Sequence, residues 1–146
     1  MREHSAPPPP PVASETSAAI SQQNQGAAAT EACAGLQNFK GGVGIARGAF
    51  IDRVDRANDW ESSESLGVQG YYFSAVGAEL DYLDTRVSPE LPSAIVDAFG
   101  ELRRTLFAVV DSDLRREPAS ISNGMVDAYS RALVAAESAC KAAGAG

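Results

Sequence analysis

Four runs of apolar residues recur at steps of three and four, and this spacing constrains the fold more than anything else in the chain. Ala32, Leu36, Phe39, Val43, Ala46, Phe50 and Val54 form the first stripe, and Val68, Tyr72, Val76, Leu80, Leu83 and Val87 the second. Leu91, Ile95, Phe99, Leu102, Leu106 and Val109 form the third; Ile121, Met125, Tyr129, Leu133, Ala136 and Cys140 form the fourth. Side chains at this spacing share one helix face, so each run predicts an amphipathic helix, and no strand-like alternation competes. Asn58-Asp59, Ser88-Pro89 and Pro118 fall between the runs, where helices stop and start. Connections this short make neighbouring helices run antiparallel. A chain of 146 residues has room for one core. The expected fold is an all-α, antiparallel up-down-up-down four-helix bundle over residues 30–146.

Residues 1–29 have another character. Pro7 to Pro11 is an unbroken proline run, which favours an extended polyproline II rod. Ser, Thr, Gln, Asn and Ala surround it, with Val12 and Ile20 as the only branched apolar residues. Such a segment buries too little to offset its ordering entropy, so a disordered Pro-rich leader is expected, either a tether or an ordinary floppy terminus. It has no apolar core of about 7–15 residues and is no signal peptide. It looks like the spacer that follows a removed signal or anchor, which leaves room for a membrane tether upstream of Met1.

Charge and residue chemistry exclude several classes. Nineteen acids against twelve bases give a net charge of −7, unsuited to nucleic acid, which demands a basic face. No run of eighteen apolar residues exists, so no transmembrane span is expected. The single histidine, His4, lies in the leader; that rules out a multi-histidine metal site and disfavours a His-activated nucleophile. No metal, cofactor or catalytic constellation is therefore expected. Haem ligation through Tyr71, Tyr72, Tyr82, Tyr129 or Met125 has nothing to select an axial residue, and tyrosine and methionine on a stripe are usually core. Arg53, Arg56, Arg86, Arg115, Arg116 and Lys141 lie near the ends of helices, and Glu31, Glu61 and Glu90 near the starts; both placements suit the helix dipole. Asp59, Glu61, Glu64, Glu79, Asp81 and Asp84 form an acidic segment without a base, read as a solvated face rather than a cation or partner site.

Two cysteines remain. Cys33 opens the first helix and Cys140 closes the fourth, and an up-down-up-down topology puts both at one end. A disulfide and an oxidising, extracytoplasmic compartment are the expected reading; two buried free thiols in a cytoplasmic protein are the alternative. The Pro-rich leader, ten arginines against two lysines, Ala-rich helices and one terminal cysteine pair resemble the layout of small exported proteins and lipoproteins of actinobacteria. That resemblance implies an extracytoplasmic helical binding domain and carries over no site residues.

Glycines mark the remaining candidates. Gly41, Gly44 and Gly48 share a face of the first helix, and Gly67, Gly70, Ser74 and Gly77 have the same spacing on the second. Folding the helices about Asp59 sets 41 against 77, 44 against 74 and 48 against 70. Close packing is expected, with a ligand groove as the alternative. Trp60, the only tryptophan, sits beside the first turn with Glu61, and Tyr71 and Tyr72 follow three turns on. An aromatic at a bundle end is more often a cap on the core than a binding hot spot. The leading expectation is a non-enzymatic exported helical bundle that binds a protein partner or an apolar ligand, with Trp60, Glu61, Tyr71, Tyr72, Gly44 and Gly48 as candidates. The alternatives are a lipid or haem carrier using a Gly-lined face between the first two helices, and a cytosolic regulatory or assembly protein.

Overall fold

The computed structural model describes Pro7 and residues 12–146, with side chains from residue 17 onward. It contains four α-helices: α1 (Val12–Phe50), α2 (Ser63–Asp84), α3 (Ser93–Leu114) and α4 (Ala119–Ala142). No strand occurs among the described residues. A π-helical turn, Ile51–Asp55, prolongs α1, and the Arg56 amide donates to the Ile51 carbonyl at 2.8 Å. This wider turn keeps Val54 fully buried after Phe50 and carries the chain toward the loop that holds Trp60.

The stripes form the core. Leu36, Phe39, Val43 and Phe50 of α1 meet Tyr72, Val76, Leu80 and Leu83 of α2, Ile95, Phe99, Leu102 and Leu106 of α3, and Ala132 and Ala136 of α4. Each large apolar side chain so enclosed contributes about 1.5–3 kcal/mol of burial free energy. The stripes fray at their ends, where Val87 is 39% exposed and Ile121 44% exposed. The fourth is only partly the buried face of α4: Tyr129 and Leu133 are half-buried, while Ala132, off the stripe, is buried.

The first helix begins eighteen residues earlier than the sequence boundary at Thr30, so the expected disordered stretch is helical from Val12 to Ala29. The reason lies in its composition. Ala18, Ala19, Ala27, Ala28 and Ala29 with interspersed Gln are good helix formers, Gly26 is the one weak position from Ser17 on, and the prolines end at Pro11. Residues 17–27 are nevertheless exposed, and burial starts at Ala28 and Ala29. The polyproline reading of Pro7–Pro11 and the leader upstream of Val12, Pro7 aside, fall outside the described residues.

Local signals set the other boundaries. Ser62 caps α2: its Oγ accepts the Ser65 amide at 3.1 Å and donates to Asp59 at 3.0 Å. Pro92 and Pro118 occupy the positions before α3 and α4, where a missing N–H costs nothing. Three helix ends turn through a left-handed residue, Asn58, Arg116 and Gly144. At each, the next amide reaches back into the last helical turn: Asp59 to Val54, Glu117 to Ser112, Ala145 to Cys140.

Contacts between helices give the register. Asn38 donates to the Tyr82 hydroxyl, and Arg86 pairs with Glu31 across α1 and α2. Asp84 pairs with Arg103, tying α2 to α3, and Lys40 pairs with Glu137 between α1 and α4. Cys33 and Cys140 lie at disulfide distance, with Sγ atoms 2.09 Å and Cα atoms 5.8 Å apart. No helix among the described residues is long and apolar enough to cross a membrane.

This register overturns the facing glycine rows. The α2-facing edge of α1 is Glu31, Gly35, Asn38 and Gly42; a methyl on Gly42 would run into the Glu79 carboxylate, and one on Gly35 would meet Arg86 Cγ at 2.9 Å. A Cβ at Gly41, Gly44, Gly48, Gly67, Gly70 or Gly77 would meet nothing within 4 Å. Consecutive residues are about 100° apart around a helix, so a row one position off the buried stripe points outward.

Candidate functional site

The candidate site is built at the Trp60 end from a charge placed on a core stripe. Asp113 follows Val109 by four residues in α3, so its carboxylate points inward, and its side chain is only 4% exposed. Arg47 follows Val43 by four in α1 and approaches from the other side of the core. Its Nε and Nη2 donate to Asp113 Oδ2 and Oδ1 at 3.0 and 3.2 Å, a two-point pair. Tyr72, fully buried in α2, donates its hydroxyl to Asp113 Oδ2 at 2.7 Å, and Ser122 of α4 stands 3.5 Å from Oδ1. One carboxylate thus joins all four helices.

The electrostatics follow from this placement. Burial raises the Tyr72 phenol far above its ordinary value, and Asp113 adds to the shift, because a phenolate there would face a carboxylate in a dry core. Burial alone would lower the Arg47 guanidinium, but the hydrogen bonds and charge of Asp113 more than reverse it. Every lone-pair direction of Asp113 is engaged in holding its neighbours.

Aromatic rings cover the network. Phe50 stacks on Tyr72 with centroids 4.9 Å apart and meets Trp60 edge-on at 5.7 Å. The guanidinium carbon of Arg116 lies 4.5 Å from the Trp60 ring centre, and its Nη2 reaches Glu61 at 2.6 Å. The left-handed backbone of Arg116 directs its side chain back over the ring. Above the network, the π-helical turn, the Trp60 loop, the end of α3 and the start of α4 border an open cavity of about 550 Å³. Arg47 and Asp113 form its floor, Trp60 and Arg116 a wall, and Asp55, Glu117 and Asn123 the rim.

The sequence candidates separate on this frame. Trp60 and Glu61 come together through Arg116. Tyr72 has no exposed surface, which corrects its reading as a partner contact: it stands on the core stripe, and its hydroxyl is committed to Asp113. Tyr71 is 53% exposed and does not line the cavity. Gly44 and Gly48 line a separate groove of about 460 Å³ between α1 and α4, beside Ile51, Tyr129 and Leu133, and not the α1–α2 face first assigned to them. Four of the six acids from Asp59 to Asp84 pair with arginines of other elements: Asp59 and Glu64 with Arg53, Glu61 with Arg116, Asp84 with Arg103.

Arg47 and Asp113 escaped sequence reasoning, although charges continuing two apolar stripes were the available signal. Arg116 was explained by the helix dipole alone. Among the described residues, no group of three or more His, Cys, Asp or Glu could hold a metal ion. No protein-family model, curated protein or solved structure matches the chain.

Proposed function

We propose that this chain is a non-enzymatic, exported helical-bundle domain that holds a ligand at its Trp60 end. The bundle runs up-down-up-down. That topology is supported by the short connections and by the pairings of Glu31 with Arg86, Asp84 with Arg103, and Cys33 with Cys140. The observation that carries the binding reading is the Trp60 cavity: about 550 Å³, with an aromatic wall and a buried polar floor, within the range of small-molecule sites. The floor is saturated by its own hydrogen bonds and so is suited to shape and position rather than to proton transfer. Export is supported by the two cysteines at disulfide distance, since such pairs persist in oxidising compartments.

Filling the cavity tests the binding reading. Compounds that raise the melting temperature of the native chain should lose that effect in Ser122→Phe, whose ring occupies the space. Equal stabilisation of both proteins, or of neither across a chemically broad library, overturns it.

A second reading follows from the α1–α4 groove. It is an apolar-ligand carrier that uses Gly44 and Gly48, whose missing side chains leave room beside Ile51, Tyr129 and Leu133. Binding of a fluorescent acyl probe that Gly44→Leu abolishes supports it; binding unaffected by that change counts against it.

A further inference from the structure

We infer that the Trp60 cavity takes an organic cation, an ammonium or guanidinium group. The inference rests on the proposal above that this cavity is the binding site.

The charges around this open cavity set the sign of what it takes. Five charged side chains line the cavity: Arg47, Arg116, Asp55, Asp113 and Glu117. Arg47 is paired with Asp113, whereas Arg116 makes only an exposed ion pair with Glu61, which lies outside the lining. Asp55 makes no side-chain hydrogen bond or ion pair with the described residues, and Glu117 takes a 3.3 Å hydrogen bond from Ser112 and feels the charge of Arg115. The lining thus carries three carboxylates against two guanidiniums, and Asp55 is the carboxylate with no side-chain partner among the described residues. The half-buried Trp60 ring adds an independent preference of the same sign. It already carries the Arg116 guanidinium at 4.5 Å, so the cavity wall is a surface on which a planar cation stacks.

The competing ligand classes fit less well. An anion would have to draw Arg47 away from Asp113 and leave a buried carboxylate unpaired, which is costly. A metal ion lacks a converging set of three acidic or cysteine/histidine donors among the described residues. A neutral apolar ligand would strip water from Asp55 and Glu117 without replacing it. The net charge of −7 also enriches cations around the whole molecule. In the bound state the incoming cation lies on Trp60 in the place of Arg116, with Asp55 and Glu117 as its counter-charges.

Trp60 is the only tryptophan, so its fluorescence reports on the cavity directly. The full chain is titrated with agmatine, with an acetylated and amidated Gly-Arg-Gly peptide, with a neutral urea analogue of agmatine, and with succinate. Saturation by agmatine or by the peptide, but not by the other two compounds, is the expected result; which of them binds tells whether the cation is free or carried on a peptide. The double variant Asp55→Asn, Glu117→Gln should weaken binding roughly tenfold, with an unchanged circular dichroism spectrum. Arg116→Gly, which suits the left-handed backbone, should tighten binding several-fold by freeing the Trp60 face. Equal affinity in the carboxamide variant overturns the assignment. Saturation by succinate or the urea analogue alone leaves the cavity as a binding site and rejects the cation. No response to any of the four rejects the cation, and the binding reading then stands or falls on the library screen with Ser122→Phe.

Discussion

At the scale of single residues, the controlling decision is that Asp113 stands where the stripe calls for an apolar side chain. Its removal leaves the part-buried Arg47 guanidinium, 23% exposed, without its counter-charge, and the Tyr72 hydroxyl without an acceptor. Asp113→Ala should cost about 2–3 kcal/mol in urea unfolding, less than a fully buried pair because Arg47 reaches solvent. Arg47→Met with Asp113→Leu should recover much of that loss; a double-mutant cycle with no coupling shows the pair to be incidental. Tyrosine titration provides a second check. Tyr82 should ionise below its ordinary value because Asn38 donates to its oxygen and the Arg86 guanidinium lies against it, whereas burial pushes Tyr129 up to about 12 and Tyr72 further still. A phenol whose value is raised by folding stabilises fully below its unfolded value near 10 and loses that contribution as pH climbs through the folded value. Alkaline unfolding should therefore begin above about pH 10, and Tyr129→Phe should blunt it. Absorbance of phenolate against pH, compared with far-ultraviolet dichroism, tests both statements.

At the scale of elements, α1 departs most from expectation. Its N-terminal portion owes its helicity to alanine rather than to packing, and an isolated stretch of that kind is marginal in water. Deleting residues 1–21 should leave the melting temperature almost unchanged; a fall of several degrees would show that this portion holds the bundle. The outward glycines of α1 invert the consequence of enlarging them. With open space around Gly44, Gly44→Ala should raise stability by about 0.5–1 kcal/mol through backbone entropy, and Gly44→Leu should not destabilise. Gly35→Leu, against Arg86, provides the contrast and should lose stability. Thermal melts of the three variants decide whether these faces are packed.

At the scale of the whole molecule, one covalent link joins the start of the ordered core to its end. Cys33 and Cys140 are 107 positions apart, and in the chain-entropy model a loop of that length corresponds to about 4.7 kcal/mol at most. Reduction should lower the melting temperature by many degrees while the helices persist, because the four apolar stripes do not depend on it. Mass spectrometry of protein taken unreduced from its native compartment should show no free thiol. Two free thiols there would remove both the cross-link and the argument for export.

The number of helices, the buried faces of the first three and the meeting of the two cysteines were legible in the sequence. Periodicity is a local property, and short connections leave few ways to assemble four amphipathic helices. The start of α1 was legible in principle but misjudged, because alanine-rich polar sequence satisfies helix propensity without a core to reveal it. Tertiary structure alone decided which glycines point outward, since a rotation of one residue around a helix exchanges a packed face for a solvent face. It also decided that Asp113, Arg47 and Tyr72 meet. A hydrogen bond between side chains of three helices depends on distances of a few tenths of an ångström, and no spacing along one helix encodes that.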